Sequence, residues 1–273
     1  MLTLPELLDF FWTDYVWLAP DARRIHSLLS ERGETVVNDH VAIRTFDLPP
    51  ISLESLARPF EALGYLPVRD YDFPEKRLHA RSFVHSDATN PRVFISELQT
   101  HRFPAGLRDI ARRLAAQVPT GREGSALLFT ELPTWAPVPL ATYRQLLGES
   151  EYAGWLSAFG IRVNHFTVSW NALTSFASLE ELNDWLAANG FRMNESGGRV
   201  KGSPAVLLEQ SSTLAGRIAW TFGGGARETI PGCYYEFARR YPDPATGKLY
   251  DGFVAKSADK IFESTDAELQ GSE

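Results

Sequence analysis

The sequence predicts an α+β protein in which two copies of a strand-helix-strands unit form one curved sheet around a metal cleft. The first observation is that a histidine opens an apolar, β-branched run at His40 and again at His165, 125 residues later. The second is that Ser-Leu-Glu, which is typical of a capped helix start, follows each histidine at Ser52 and Ser178. The third is a helix-ending glycine before an aromatic residue in both copies. Such spacing indicates a duplicated βαβββ unit.

The first histidine run places two functional side chains on one surface. In a strand, alternate residues share a face, so His40, Ala42 and Arg44 point one way. His40 and Arg44 would then lie roughly 13 Å apart along the strand. An imidazole suits a metal ion, and a guanidinium suits an anionic substrate.

Five consecutive segments of one domain follow from the pattern. They are N-terminal helices at 1–34, the first repeat at 35–102, a helical connection at 103–160, the second repeat at 161–241 and a C-terminal tail at 242–273. In the first segment, apolar residues at helical spacing predict two helices over 3–32, divided at Pro20 and ended by Gly33.

The elements of the first repeat follow from alternation and turn residues. The sequence predicts strands at 36–46, near 65–70, at 79–86 and at 92–98, with a helix at 52–63 and a turn at 70–74. Three prolines make 133–139 irregular, between helical runs of the connection.

The second repeat should repeat this plan with additional strands. The strands are expected near 163–170, 191–194, 204–211, 216–222 and 232–239. Gly223-Gly224-Gly225 has no phosphate-loop context and predicts a flexible turn that could act as a lid. The tail at 251–265 is expected to be an appendage, and its composition assigns it no role.

Composition limits the classes of function. Of the 273 residues, 44% are hydrophobic and 22% are charged, which predicts a folded globular chain. The net charge of −7 argues against general nucleic-acid binding. The single cysteine, Cys233, cannot form an internal disulfide, and no apolar run is long enough for a membrane span. We therefore expect a soluble cytoplasmic protein with no nucleic-acid or membrane partner.

A metal site on two imidazoles needs a third ligand, and a carboxylate would complete a facial triad. Glu97 and Glu236 are the candidates, because each is an acid within an apolar strand. A bare buried carboxylate costs several kcal/mol, so each needs a cation, a metal or hydrogen bonds. An arginine partner explains either acid equally well, and the residues alone leave this choice open. His79 and His85 are most simply surface or structural residues, although they share a strand face and could support the site from outside.

Four segments together resemble the DUF1338 family, which includes 2-oxoadipate dioxygenase/decarboxylases. They are Asp39-His40-Val41-Ala42-Ile43-Arg44-Thr45-Phe46, Phe94-Ile95-Ser96-Glu97-Leu98, Asn164-His165-Phe166-Thr167 and Tyr235-Glu236-Phe237-Ala238. The resemblance implies a fold of paired vicinal-oxygen-chelate modules, as in glyoxalases. It also implies Fe(II) bound by His40, His165 and Glu236, and Arg44 holding a substrate carboxylate. It further implies that a 2-oxo acid and O2 react, with 2-oxoadipate giving 2-hydroxyglutarate and CO2.

Two other functions fit the same residues. One is a metal-dependent, glyoxalase-like isomerase or hydrolase that needs no O2. The other is a non-catalytic small-molecule binding module in which both histidines are structural. The sequence determines neither the natural substrate nor the oligomeric state.

Overall fold

A computed structural model describes residues 2–266. The helices are Leu4–Leu18 (α1), Pro20–Glu31 (α2), Leu53–Ala62 (α3), Ala105–Ala115 (α4), Leu127–Thr130 (α5), Leu140–Glu149 (α6), Glu151–Phe159 (α7), Leu179–Ala188 (α8) and Ala255–Phe262 (α9). The strands are Asn38–Phe46 (β1), Tyr65–Phe73 (β2), Leu78–His85 (β3), Arg92–Leu98 (β4), Val163–Ser169 (β5), Lys201–Ser203 (β6), Leu208–Ser212 (β7), Arg217–Thr221 (β8), Arg227–Pro231 (β9) and Tyr234–Arg240 (β10). Among these helices, none combines the length and the apolar character that crossing a bilayer requires.

Eight strands form one sheet in the order β2-β3-β4-β1-β5-β10-β7-β6. The two halves of this order mirror each other, because each unit opens with a strand that pairs in parallel with its own last strand. The two opening strands, β1 and β5, pair antiparallel at the centre. The predicted α+β class with a curved central sheet is confirmed, and β8 and β9 form a separate hairpin within the second unit.

The repeated serines and glycines set the limits of the corresponding helices. The Ser52 hydroxyl accepts a hydrogen bond from the Ser55 N–H, and the Ser178 hydroxyl accepts one from Glu181 N–H. Gly64 and Gly190 have φ of +94° and +86°, a conformation that other residues rarely adopt. The chain therefore leaves α3 and α8 in the same way.

The sheet packs on both of its faces. On the convex face, Phe166 of β5 contacts the rings of Trp12 and Tyr15 of α1, with centroids 5.2 and 5.1 Å apart. Residues 250–265, here called the C-terminal strap, lie on the concave face and contain α9. Its Phe253 packs on Phe94 of β4 with centroids 4.9 Å apart. The tail at 251–265 is therefore an internal layer of the fold and not an appendage, and the end of the predicted tail, 267–273, lies outside the described residues.

Several predicted element limits are wrong. The strand expected near 65–70 runs through the predicted turn to Phe73, because Tyr71 and Phe73 alternate inward and are buried. Within 191–194 only Met193 forms a bridge, to Thr213. A 3-10 turn at Pro204–Val206 occupies the start of the strand expected at 204–211, so the observed strand, β7, begins only at Leu208.

The glycine run also differs from its prediction. Gly223, Gly224 and Gly225 form the turn of the β8–β9 hairpin, and the strand expected at 216–222 belongs to that hairpin. Gly223 N–H donates to the carbonyl of Val138 at 2.8 Å. A Cβ at Gly223 would meet the Pro137 carbonyl oxygen at 2.4 Å, so this turn packs against the proline-rich segment. It does not cover the concave face.

The convex-face packing generates a stability prediction. Phe166→Ala should lower the free energy of unfolding by about 3–5 kcal/mol, because it removes a fully buried ring between sheet and α1. Leu66→Ala is the control, since Leu66 is 63% exposed on the edge strand β2, and its effect should stay within about 0.5 kcal/mol. Urea denaturation followed by circular dichroism measures both, and similar losses would contradict the packing described.

Candidate metal centre

Three potential metal ligands converge on the concave face from neighbouring strands. His40 lies on β1, His165 on β5 and Glu236 on β10, and all three are buried. One ligand atom from each lies within 4.8 Å of the others. The Glu236 carboxylate bridges the pair, with Oε1 3.5 Å from His40 Nε2 and Oε2 3.3 Å from His165 Nε2.

Strand register explains why these residues meet. Thr167 of β5 is opposite His40 on one side and opposite Glu236 on the other, and His165 is two residues before it. In the first unit, the position equivalent to Glu236 is occupied by Phe94, because Phe94 is opposite Ala42, two residues after His40. The duplication therefore supplies two histidines but only one acid.

The other candidate acid faces away from the centre. Glu97 alternates with the inward Ser96, and its carboxylate accepts a hydrogen bond from the Leu53 N–H at the start of α3. Burial raises its pKa, and that hydrogen bond counteracts the rise. Glu97 is thus a helix-capping residue.

Neither of the two further histidines on β3 supports the centre. His79 lies beside Asp72, with Nδ1 and Oδ1 3.1 Å apart, and His85 Nε2 is 3.1 Å from the Leu63 carbonyl. The possible supporting role of His79 and His85 is therefore wrong.

A buried ion pair orients the His40 ring. Asp39 Oδ1 lies 2.7 Å from His40 Nδ1, so this nitrogen carries the proton. Nε2, which lies 3.0 Å from the Thr167 hydroxyl, keeps the lone pair that can bind a metal. Arg240 donates to the same carboxylate at 2.7 and 2.9 Å. Burial alone would raise the pKa of Asp39, but Arg240 and His40 hold it well below its usual range. Neither Asp39 nor Arg240 is predicted from the sequence as a site residue, although an acid directly before the repeated histidine is a usable signal for Asp39.

The second histidine is held in the same way by a neutral group. The side-chain oxygen of Asn164 lies 3.2 Å from His165 Nδ1. Burial, together with the charges of His40 and Arg44, lowers the pKa of His165 well below its ordinary value. His165 is therefore neutral at physiological pH, the form in which imidazole binds metals.

The third ligand is connected to a neighbouring strand. Gln210 of β7 donates its side-chain N–H to Glu236 Oε1 at 2.6 Å. Burial raises the pKa of Glu236, while His40 and this hydrogen bond act against the rise. A divalent cation would supply the positive charge that a buried carboxylate requires.

The donor set fits a divalent metal. The Glu236 oxygens lie 3.5 and 3.3 Å from His40 Nε2 and His165 Nε2. At this spacing, the two nitrogens and a carboxylate oxygen can each approach a common ion at the roughly 2.0–2.2 Å of metal bonds. Two histidines and one carboxylate bind one side of an ion and leave positions open for other ligands, as in non-haem Fe(II) oxygenases. The arrangement is that of a catalytic centre more than a closed structural one.

Arg44 lies on the same face and is fully buried. It donates from Nη1 to Glu151 at 3.0 Å and from Nη2 to the Thr265 hydroxyl of the strap at 2.9 Å. Its guanidinium carbon lies 4.8 Å from the Tyr152 ring centroid and 5.1 Å from that of Trp155. Burial would lower the pKa of Arg44, but Glu151 raises it, so Arg44 stays charged.

The strap closes the centre. Phe253, Ala258, Ile261 and Phe262 cover a cavity that also touches the three candidate ligands, Phe94 and Gln210. The volume open to the centre of a water molecule is about 10 Å³. This volume is about enough for one water. The centre is therefore enclosed, with room for no more than about one water.

Fold and site together define a class of protein: a two-module, vicinal-oxygen-chelate type chain with a buried candidate metal centre between the modules. A glyoxalase superfamily protein of Ralstonia eutropha has this fold, with a TM-score of 0.76 at 22% identity over 91% of this chain and 84% of that one. A sequence profile of the 2-oxoadipate dioxygenase/decarboxylase family matches residues 18–124 and 122–244. The chain belongs to that family.

Individual relatives agree with this assignment. The rice 2-oxoadipate dioxygenase/decarboxylase is 36% identical over 277 aligned positions, 92% of this chain and 75% of the rice protein. The structure of a rice hydroxyglutarate synthase in complex with 2-oxoadipate matches with a TM-score of 0.91 at 33% identity, covering 97% and 93% of the two chains. A Shewanella frigidimarina protein described as a hydrolase is 45% identical, with a TM-score of 0.85 over 91% and 96%.

The support that Asp39 gives to His40 can be measured through metal affinity. Asp39→Asn should weaken binding of a divalent ion by about 10- to 100-fold, because the neutral amide no longer fixes the proton on His40 Nδ1. Calorimetric titration with Mn2+ or Fe2+ under anaerobic conditions measures the change. Asp70→Asn is the matched control, since Asp70 lies on the outer strand β2 and is about half exposed. Equal affinities for the wild type and Asp39→Asn would show that His40 is not a ligand oriented in this way.

Proposed function

We propose that this protein is an Fe(II)-dependent dioxygenase that decarboxylates a 2-oxo diacid, converting 2-oxoadipate and O2 to 2-hydroxyglutarate and CO2. The observation that carries the proposal is the buried cluster of His40, His165 and Glu236 in a member of this family. The relatives' names and the 2-oxoadipate complex of the rice protein support the substrate. The reaction balances without a further co-substrate, because both oxygen atoms of O2 end in the products.

In this proposal the three side chains hold iron through His40 Nε2, His165 Nε2 and the Glu236 carboxylate. When bound, Fe(II) would supply a binding position for the 2-oxo acid and for O2 and the electrons that activate O2. Asp39 and Asn164 keep both histidines in the tautomer that presents Nε2.

The protein itself orients the substrate and excludes bulk water from the reacting groups. Arg44 would hold a substrate carboxylate, because a guanidinium forms paired, charged hydrogen bonds that a point charge cannot. Phe94, Phe253 and Phe262 line the cavity and keep bulk water from the reacting groups. With bulk water excluded, each hydrogen bond to a charged group contributes roughly 1.5–3 kcal/mol to substrate binding.

Substrate entry requires movement of the strap. A space of about 10 Å³ cannot accept a six-carbon diacid. Phe253 of the strap packs on the His40 ring with centroids 4.8 Å apart, and Ile261 and Phe262 of the strap line the same cavity. We infer that these strap side chains move away from the ligands when the substrate enters.

We also propose a reducing compartment, the cytoplasm, as the location of this chain. Its one cysteine, Cys233, is buried, and burial raises its pKa to a value at which it is an inert thiol. An even set of cysteines in disulfides would be expected in an oxidising compartment.

The reaction is tested by oxygen uptake. Protein loaded anaerobically with Fe(II) should consume one O2 per 2-oxoadipate and release one CO2, and His165→Ala should lose this activity while remaining folded. An oxygen electrode and chromatographic detection of 2-hydroxyglutarate measure the outcome. Turnover of the 2-oxo acid in the absence of O2 would favour an isomerase or hydrolase. Failure to take up any divalent ion would favour a binding module.

The carboxylate-binding role of Arg44 is tested separately. Arg44→Lys should raise the KM for 2-oxoadipate about 10-fold or more with unchanged iron content, because lysine retains the charge but loses the planar fork. Arg81→Lys is the control: Arg81 pairs with Glu54 and Asp70 away from the centre. Arg44 has no such role if the two variants behave alike in steady-state oxygen uptake.

A further inference from the structure

Two buried donors on the concave face have no hydrogen-bond partner within the described part of the chain. One is Nε of Arg44 and the other is the hydroxyl of Tyr234. Each side chain is 1% exposed. An unpaired buried donor costs roughly 1–3 kcal/mol, so two of them on one surface indicate a ligand that accepts from both.

Tyr234 is next to the candidate metal centre. It is the register partner of His165 on β10, two residues before Glu236. The rings of Tyr234 and His165 stack with centroids 4.6 Å apart and planes inclined by 27°. Ile261 of the strap, which lines the metal cavity, also packs with Tyr234. Tyr234 therefore lies one side chain away from the metal position and beneath the strap.

The strap shows that Arg44 and Tyr234 are neighbours. Thr265, which accepts from Arg44, follows Ile261 by four residues through the end of α9 and a 3-10 turn. Residues at this spacing lie about 6 Å apart on one side of a helix. Burial raises the pKa of Tyr234 well above its usual value, and the charge of Arg44 acts against that rise. The phenol and the guanidinium thus face the same part of the strap.

The remaining donors of Arg44 specify the kind of ligand. Nη1 is directed to Glu151, which is a quarter exposed, and Nη2 has a neutral hydroxyl as its partner. Nε and the Tyr234 hydroxyl are left to donate. A carboxylate matches them best, because it offers two acceptor oxygens and a negative charge to the buried guanidinium.

We propose that Tyr234 and Arg44 together bind the carboxylate of the substrate that does not contact the metal, which makes Tyr234 a residue that selects 2-oxo diacids over 2-oxo monoacids. This inference rests on the proposed function for the identity of the substrate. Tyr234 stacks on the ring of a candidate ligand, and neither Tyr234 nor Arg44 is itself a ligand. That is expected of side chains that meet the far end of a substrate whose 2-oxo acid end is at the ion. When the substrate binds, its far carboxylate accepts hydrogen bonds from both Arg44 Nε and the Tyr234 hydroxyl.

The test compares two substrates of equal carbon number. For Tyr234→Phe, kcat/KM with 2-oxoadipate should fall about 10- to 100-fold, mainly through KM, which is the range expected for one hydrogen bond to a charged group. With 2-oxohexanoate, which lacks the far carboxylate, kcat/KM should change less than about twofold. Equal losses with both substrates, or no loss with 2-oxoadipate, would overturn the proposal.

Tyr235→Phe is the matched control. The Tyr235 hydroxyl is also buried and without a partner in the described residues, but its ring lies on the opposite face, 6.0 Å from that of Trp12. Removing an unpaired buried hydroxyl should not lower the melting temperature in either variant. Only Tyr234→Phe should alter the preference between diacid and monoacid.

A binding measurement separates this inference from the proposed reaction. Adipate should bind the metal-free wild type in calorimetry, and Tyr234→Phe should weaken its Kd at least about 10-fold, whereas hexanoate should bind both proteins equally. If the wild type oxidises no 2-oxo acid but shows this difference, the reaction is wrong and the carboxylate site stands. If adipate binds both proteins alike, the two donors hold only water and the inference fails.

Discussion

The buried ion pair between Asp39 and Arg240 is the interaction on which the site depends. It joins β1 to β10 across β5, fixes the His40 ring through Nδ1, and leaves Arg240 Nη1 to hold the strap at the carbonyls of Tyr250 and Gly252. Breaking such a pair by removing one partner commonly costs about 3–5 kcal/mol, because a charge remains buried without compensation. One interaction thus connects a candidate ligand, the sheet and the cover of the cavity.

The duplicated architecture accounts for the chemistry of the centre. Antiparallel pairing of β1 and β5 brings His40 and His165 to one place from two separate units. The same duplication would give two acids, but Phe94 occupies the first of the equivalent positions. With Glu236 as its one carboxylate ligand, a divalent ion keeps one positive charge for an anionic ligand, which a second buried carboxylate would cancel. Phe94 contributes instead to the apolar wall of the cavity.

The strap turns an open concave sheet into an enclosed cavity. The aromatic residues of the strap exclude water from the cavity. The Thr265 hydroxyl of the strap accepts a hydrogen bond from Arg44, so the strap directly contacts a side chain that is proposed to bind the substrate. Low dielectric strengthens each charged hydrogen bond within the cavity but makes unpaired groups costly. The two donors left unpaired by the fold, on Arg44 and Tyr234, are therefore significant.

The sequence by itself determined the local elements and the duplication, because alternation, capping serines and helix-ending glycines act over a few residues. It also indicated His40, Arg44 and His165 as side chains on a shared surface, from period two and the repeat. Local pattern left Glu97 and Glu236 open, and only the family resemblance favoured Glu236. The tertiary structure gave the physical reason, since strand pairing decides which face of the sheet a residue joins. The roles of Arg240, Tyr234 and the strap likewise depend on contacts between residues far apart in the chain, which no local pattern encodes.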